Sequence, residues 1–265
     1  FAPDLLKRVT GGRIFGTLVY PNALAGVILL LLAPVAFAVW QICERLPNVA
    51  KGLAVGFIVY LGVACLVWTG SKSGWLIALG IMAAGLCQLR LSRRTRSLIV
   101  IALCVGGVLG FFVRYSKYFE RGATSMSARF DYWRAAVQTA SSHPLLGTGP
   151  GTFMDSYKRL KRPDSEMARL AHNVYLQQAS DSGLPGFLGW LGFVGGGLYC
   201  LYRKSWRDPL RVATLLGVSA LFAQSMVEFG LYIPAVAWPT LTLFGWLLAG
   251  WDAPSGGDPM PSAAP

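Results

Sequence analysis

The chain has 265 residues, of which 54% are hydrophobic and only 14% are charged. This composition excludes an ordinary water-soluble domain, because so many apolar side chains suit a protein whose main solvent is lipid. The formal net charge of +12 would indicate nucleic acid in a soluble protein. Since much of this charge lies beside apolar segments, it indicates anionic lipid headgroups instead, and nucleic acid is not an expected partner.

Seven apolar windows of the sequence are candidates for membrane spans. A helix that crosses the hydrocarbon needs roughly 20 mainly apolar residues and makes its backbone hydrogen bonds internally. The windows lie at 22–41, 52–68, 73–89, 98–113, 183–202, 210–227 and 232–251. We therefore predict an all-α polytopic membrane protein with about seven transmembrane helices and one long extracytoplasmic loop that contains amphipathic helices.

The orientation follows from the short loops. Lysine and arginine in short loops mark the cytoplasmic side, whereas long loops cross the membrane largely regardless of charge. Two short loops, at 90–96 and 203–211, each carry four such residues. Both are predicted to be cytoplasmic, which places the long segment on the extracytoplasmic side of the membrane.

The predicted domain map has four parts. Residues 1–114 form the first membrane part with four spans, and residues 115–182 form an extracytoplasmic catalytic loop. Residues 183–252 form the second membrane part with three spans, and residues 253–265 are expected to be a disordered cytoplasmic tail.

Two helices and a turn are predicted within the outer loop. Ser127 is expected to cap a helix whose amphipathic face, from Arg129 to Val137, lies on the outer membrane surface. A Pro- and Gly-rich turn at 143–153 ends this helix, and its backbone N–H groups, Gly149 among them, are candidates for binding an anion. A second helix is predicted to open near residue 171 and to end at Gly183.

The outer loop also carries an excess of basic side chains. Nine basic residues lie between 117 and 169, against five acidic ones. This excess favours an anionic ligand, and a lipid-linked diphosphate would fit because the planar fork of arginine donates two parallel hydrogen bonds to a phosphate. For the run at 158–162, contact with lipid headgroups or water is the favoured alternative. The candidate binding residues are Arg121, Arg129, Arg134 and Arg169.

Three further residues are candidates for chemistry. Lys72 stands between two predicted spans, where an ammonium is costly unless it is paired or reaches the interface, as a snorkelling lysine would. His172 is one of two histidines; imidazole titrates near neutral pH and so can accept a proton from a hydroxyl, although a helix-start histidine is the alternative. Glu228 is expected outside, where it can pair with Lys72 or an arginine, and His143 is interpreted as a turn residue.

The sequence shows no metal or nucleotide motif. It lacks HExxH, DxD and a metal-spaced set of cysteines and histidines, and the Gly-rich turn lacks the lysine of a P-loop. We therefore expect neither a metal ion nor another cofactor.

Four stretches together resemble the superfamily of O-antigen ligases and Wzy-type O-antigen polymerases, which includes some protein O-oligosaccharyltransferases. They lie at 16–25, 69–74, 129–153 and 171–176. The most specific are the turn Pro-Leu-Leu-Gly-Thr-Gly-Pro-Gly-Thr-Phe at 144–153 and the sequence His-Asn-Val-Tyr-Leu that begins at His172. The chain departs from the family at Lys72, where an arginine is usual. Because members have about a dozen spans, the resemblance implies further helices before Phe1.

The resemblance implies transfer of a glycan from undecaprenyl diphosphate to an acceptor hydroxyl at the extracytoplasmic face, without metal, in the synthesis of envelope polysaccharides such as lipopolysaccharide. Lys72 and Arg129 would hold the diphosphate and His172 would act as general base, with Asn173, Gly149 and Glu228 among the substrate-binding residues. The acceptor stays open between lipid A-core, another lipid-linked glycan and a protein hydroxyl. The alternatives are a transporter or flippase of an anionic lipid-linked glycan and a noncatalytic membrane assembly subunit.

Overall fold

The computed structural model describes residues 11–88, 91–120, 122, 124–203 and 208–250, and this part of the chain is mainly helical, with no strand. Short 3₁₀ turns lie at Gly16–Leu18, Cys43–Arg45 and Gly230–Tyr232, and a π-helical segment lies at Gly192–Gly196. Arg121 and the predicted tail at 253–265 lie outside the described residues.

The α-helices are α1 (Pro21–Ile42), α2 (Asn48–Thr69), α3 (Lys72–Gln88), α4 (Arg93–Glu120), α5 (Thr124–Ser142), α6 (Phe153–Leu160), α7 (Val174–Leu191), α8 (Gly197–Arg203), α9 (Pro209–Gln224) and α10 (Pro234–Ala249).

The prediction of an all-helical membrane protein is confirmed. Four helical stretches among the described residues are long and apolar enough to cross a membrane: Pro21–Arg45, Asn48–Thr69, Arg93–Glu120 and Val174–Arg203. Three shorter apolar helices, Lys72–Cys87, Pro209–Gln224 and Pro234–Ala249, coincide with the other predicted spans. The count of about seven spans stays a prediction.

Proline and glycine set several helix boundaries. Pro21, Pro209 and Pro234 stand in the first turns of α1, α9 and α10, where a missing N–H costs no hydrogen bond. Gly70 follows α2 with φ +62°, a left-handed conformation that glycine adopts without strain. The chain therefore turns sharply from α2 into α3.

Small residues bring α1 and α9 close together. A Cβ on Gly217 would lie 2.1 Å from Leu30 O, and a Cβ on Gly26 would lie 2.5 Å from Gln224 Oε1. Such close helix approach is a usual means of association in lipid, where apolar burial supplies no driving force between helices. Beside this contact, α1, α8, α9 and α10 share a buried apolar cluster with the π-helical segment.

The segment between α4 and α7 forms a second core of its own. This core packs α5 against α6 and the approach to α7, and it consists of Tyr132, Ala135, Ala136, Phe153, Tyr157, Ala168 and Ala171. The buried face of α5 runs through Tyr132, Ala136 and Ala140, whereas Val137 is 50% exposed. The amphipathic helix is therefore present, but its predicted apolar face is wrong at Val137.

One predicted helix boundary is wrong and another is confirmed. Ser127 does not cap α5, which begins at Thr124 and has Ser127 within its first turn. The regular helix that begins at Val174 is interrupted at Gly183, as predicted, and a further helical stretch continues to Leu191. The break follows from the φ of +67° at Gly183 and from Pro185, which has no N–H to donate.

Candidate active site

A buried carboxylate, Glu228, is the centre of the candidate site. It lies in the segment after α9 and is 1% exposed. Its Oε1 accepts a hydrogen bond of 2.6 Å from Asn22 Nδ2 and pairs with Arg129 Nη2, while its Oε2 accepts one of 2.6 Å from Tyr20 Oη. A buried carboxylate needs such partners because isolation from water would be very costly. Glu228 thus joins the start of α1 and the first half of α5 to the segment that follows α9.

His172 lies against the same carboxylate. Its Nδ1 is 3.5 Å from Glu228 Oε2 and has no hydrogen-bond partner within the part of the chain that the structure describes. The imidazole meets the Phe229 ring edge to face at 4.7 Å and lies 5.6 Å from the Tyr132 ring. Its side chain is 24% exposed, so aromatic packing holds the ring while leaving part of it accessible.

The backbone fixes His172 just before α7. His172 has φ +51°, a conformation that is uncommon outside glycine and that the surroundings must enforce. Asn173 caps the helix, its Oδ1 accepting from Leu176 N at 3.0 Å, and Val174 N donates to Ser225 O at 2.8 Å. The start of α7 is therefore tied to the end of α9, close to Glu228. Asn173 has a structural role here, and its predicted contact with substrate stays a prediction.

The segment that precedes α1 contributes Arg13 to the site. Arg13 Nε donates to Thr69 O at 2.6 Å, and its Nη2 donates to Asn22 Oδ1 at 2.9 Å. Burial raises the pKa of Tyr20 well above its usual range, and the charge of Glu228 raises it further. Tyr20 therefore stays protonated and donates to the carboxylate. Arg13, Tyr20 and Asn22 link the polar ends of α1 and α2 to Glu228.

Lys72 opens α3 beside this cluster. Its Nζ lies 3.8 Å from the centre of the Tyr118 ring and 5.1 Å from that of Tyr115, both on α4. Such contacts stabilise a cation by about 0.5–2 kcal/mol. Glu228 therefore forms its ion pair with Arg129 and not with Lys72. Lys72 packs on aromatic rings and lies close enough to Arg13 and Arg129 to interact with their charges.

The other predicted binding residues lie elsewhere or make structural contacts. Arg134 binds Asp131 and donates to Leu160 O at 2.6 Å, so it joins α5 to α6. Arg169 is exposed, and Arg121 lies outside the described residues. The N–H of Gly149 donates to Asp181 O at 2.9 Å rather than pointing into open space. Substrate binding by these residues stays a prediction.

The Gly-rich turn braces the bend of α7. Thr148 N donates to Ser180 O at 3.0 Å, and Leu184 N donates to Pro144 O at 2.7 Å. A Cβ on Gly147 would lie 2.4 Å from the backbone of Asp181, and a Cβ on Gly183 would lie 2.6 Å from Pro144 O. Glycine is thus required because two backbone segments touch.

Sequence reasoning missed Arg13, Tyr20 and Asn22 as site residues. Tyr20 and Asn22 stood within a recognised motif at the start of an apolar run, but uncharged side chains there gave no chemical signal of their own. Arg13 had no signal beyond one positive charge before a span. Their role follows from long-range contacts with Glu228 and with the end of α2.

Comparison with known families identifies the class of protein. The O-antigen ligase family model matches residues 57–191, a little over half of the chain. The chain belongs to this family and is a multi-pass membrane protein, and its family confirms a role in transferring glycans during envelope polysaccharide assembly. The matched region contains Lys72, Arg129 and His172. No curated protein and no solved structure matches the chain.

Proposed function

We propose that the protein transfers a glycan from undecaprenyl diphosphate to an acceptor hydroxyl at the extracytoplasmic face of the bacterial inner membrane, without a metal ion or other cofactor. The observation that carries this proposal is the buried carboxylate of Glu228, which contacts both Arg129 and His172. Glu228 thereby brings Arg129, a side chain suited to binding phosphate, and His172, a side chain able to accept a proton, into one site. Family membership supports glycan transfer in general.

The proposed topology has seven spans. The four long apolar helices and the three shorter ones supply them, and the arginine-rich start of α4 and the basic sequence at 203–211 lie in the cytoplasm by the positive-inside rule. With this orientation, the start of α1, the α2–α3 turn and the segment from 115 to 182 share the extracytoplasmic side. This agrees with the contacts that these segments make with one another around Glu228.

The proposed proton acceptor is His172. Because its Nδ1 faces Glu228, the tautomer with hydrogen on Nδ1 is favoured, which leaves the lone pair of Nε2 for the acceptor hydroxyl. The hydroxyl oxygen forms the new bond to the anomeric carbon as its proton passes to Nε2. The bond from that carbon to the phosphate oxygen breaks, and undecaprenyl diphosphate leaves with the electron pair.

The proposed role of Lys72 and Arg129 is to stabilise that leaving group. Negative charge grows on the bridging oxygen in the transition state, and fixed cations are most effective where charge develops. Arg129 keeps donors beyond the one that pairs with Glu228, and Lys72 is held on the Tyr118 ring. Arg13 adds a third positive charge at the same helix ends.

The decisive experiment is transfer from a lipid-linked donor in membranes that carry the full-length protein. His172→Ala is compared with the wild type at equal expression, with and without a metal chelator. His143→Ala is the matched control, because His143 is the other histidine and is exposed in the turn after α5. Transfer that resists the chelator, persists in the control and disappears in His172→Ala supports the proposal.

Unchanged transfer in His172→Ala would remove His172 from the chemistry. Absence of transfer in the wild type, together with movement of the donor across the membrane, would identify a transporter or flippase instead. Polysaccharide assembly that tolerates His172→Ala while requiring the protein would identify a noncatalytic assembly subunit. Supplying lipid A-core, a lipid-linked glycan and a protein as acceptors in parallel separates a ligase from a polymerase and an oligosaccharyltransferase.

A further inference from the structure

An apolar cleft runs between α2 and α3, directly below the turn that joins them. The helix α2 packs against α1, and α3 packs mainly against α4 and α9, whereas α2 and α3 touch each other only sparsely. The space between them is a cavity of about 280 Å³. Its walls come from all three helices and include Leu32, Ala36, Val63, Leu66, Trp75 and Ala78.

One end of the cleft lies at the candidate active site. Leu66 is one helical turn from Thr69, whose carbonyl accepts the hydrogen bond from Arg13, and Trp75 is one turn from Lys72. From Trp75 the wall continues along α3 to Met82, a length of roughly 10 Å at 1.5 Å per residue. The cleft therefore leads from the cationic site into the apolar part of the helix bundle.

The cleft is apolar and open at its side. Its only indole nitrogen, Trp75 Nε1, donates to Gly107 O at 3.1 Å and is thus bound to α4. On the rim, Val59, Val63 and Met82 are 37%, 39% and 39% exposed. Apolar walls do not hold water well, and helix interiors are ordinarily packed without such gaps. An apolar chain entering from the membrane has the chemistry to fill this space.

We propose that the cleft between α2 and α3 binds the first isoprene units of the polyprenyl chain of the donor. The assignment rests on the proposed function and deepens it, because it places the lipid half of a substrate whose diphosphate lies at Lys72, Arg13 and Arg129. The arrangement matches an amphiphile that has two phosphates at one end and a hydrocarbon chain directly attached. Charge complementarity at the mouth and an apolar interior select the same ligand.

The experiment varies the donor chain and the cleft together. Ala78→Trp fills the cleft from α3, and Ala84→Trp is the matched control, since Ala84 is exposed on the same helix and does not line the cleft. Transfer by full-length protein is measured with the same glycan diphosphate on an undecaprenyl chain and on a single isoprene unit. Ala78→Trp is expected to raise the apparent KM for the undecaprenyl donor by about tenfold or more, because contacts with several apolar groups are lost. Its KM for the short donor is expected to match that of the wild type, and Ala84→Trp is expected to change neither value.

A second measurement keeps the proposal falsifiable if Ala78→Trp fails to fold. An undecaprenyl diphosphate with a photoreactive group on its first isoprene unit is crosslinked to the wild-type protein, and a phospholipid with a photoreactive acyl chain is used in parallel. Labelling of α2 and α3 by the diphosphate probe, with competition by unlabelled donor, supports the assignment. Labelling of other helices, or of the cleft by the phospholipid alone, would overturn it, as would an equal effect of Ala78→Trp on both donors in folded protein.

The two proposals fail in different ways. If the wild type transfers no glycan but the diphosphate probe still labels the cleft, glycan transfer is wrong and the cleft assignment stands. If the wild type transfers glycan from both donors but the probe labels elsewhere, the cleft assignment is wrong and the transfer reaction stands.

Discussion

His172 Nδ1 lies 3.5 Å from Glu228 Oε2, so the imidazole faces the same carboxylate that pairs with Arg129. The pair is enclosed on one side by Phe229, which meets the His172 ring edge to face. In this arrangement Glu228 has a positioning role, because it holds Arg129 and favours one tautomer of His172 while its own oxygens are occupied.

Glu228→Gln tests that positioning role. Glutamine preserves the shape of the side chain but removes the charge that Arg129 and the imidazolium of His172 require, so kcat is expected to fall by roughly 100- to 1,000-fold. The kcat and the KM for the donor are measured separately at equal amounts of folded protein, because loss of a positioning contact lowers kcat in enzyme that is still folded. Glu166→Gln, at an exposed carboxylate of the same loop, should leave both values unchanged. A fall in kcat of less than tenfold would show that Glu228 is only structural.

Arg129→Ala and Arg129→Lys test the stabilisation of the leaving group. Alanine removes the charge and is expected to lower kcat by roughly 100- to 1,000-fold, whereas lysine keeps a point charge and should recover part of that loss. Arg159→Ala is the control, because Arg159 is exposed on α6. Rates are compared at saturating donor, so that weaker binding does not account for the fall. A tenfold or smaller effect of Arg129→Ala would argue against its role.

The sequence predicted the positions of the helices better than it predicted the contacts between them. Each of the seven apolar windows overlaps an apolar helix, because the need to satisfy the backbone in lipid is local and readable from hydrophobicity. The break at Gly183 was predicted, because a glycine close to a proline interrupts a regular helix. The packing of the Gly-rich turn against α7 at this break was not predicted.

The candidate site was predictable residue by residue but not as an arrangement. Arg129, His172 and Glu228 each stood out as ionisable groups near apolar segments, a signal that depends on local sequence. Their meeting, and the hydrogen bond from Asn22 to Glu228, joins residues that are far apart along the chain. No local pattern encodes such contacts, which follow from the packing of α1 against α9.

Gly147→Ala tests the brace between the Gly-rich turn and α7. The new Cβ would meet the backbone of Asp181 at 2.4 Å, and the φ of +63° would strain it as well. Positive φ and overpacking together are expected to lower the free energy of unfolding by roughly 2–5 kcal/mol. The control Gly151→Ala also has positive φ but meets nothing within 4 Å, so a loss of only about 1 kcal/mol is expected. Thermal unfolding of the detergent-solubilised protein measures both, and equal losses would refute the steric explanation.

Asp131 makes the stability of the core between α5 and α6 depend on pH. Burial alone would raise the pKa of this carboxyl, but hydrogen bonds from Arg134, Ser165 and Tyr157 and from the Arg162 backbone outweigh it and lower the pKa to about 2. A depressed carboxyl pKa contributes stability that is complete above the ordinary value near 3.8 and is lost as the pH falls toward 2. The size of the contribution is on the order of 2 kcal/mol.

Asp131→Asn should therefore destabilise the packing of α5 on α6 at pH 5 and have a smaller effect near pH 2. Asparagine cannot carry the charge that Arg134 binds, and its amide hydrogens face the hydroxyl of Tyr157, which donates to Asp131 at 2.9 Å. Hydrogen exchange of the backbone of α6 measures the change, with Asp155→Asn, at an exposed position of the same helix, as the control. The expected result is faster exchange in Asp131→Asn at pH 5, with the difference from the wild type narrowing as the pH falls from about 4 to 2. A difference that stays constant over this range would show that the charge of Asp131 contributes nothing to the loop core.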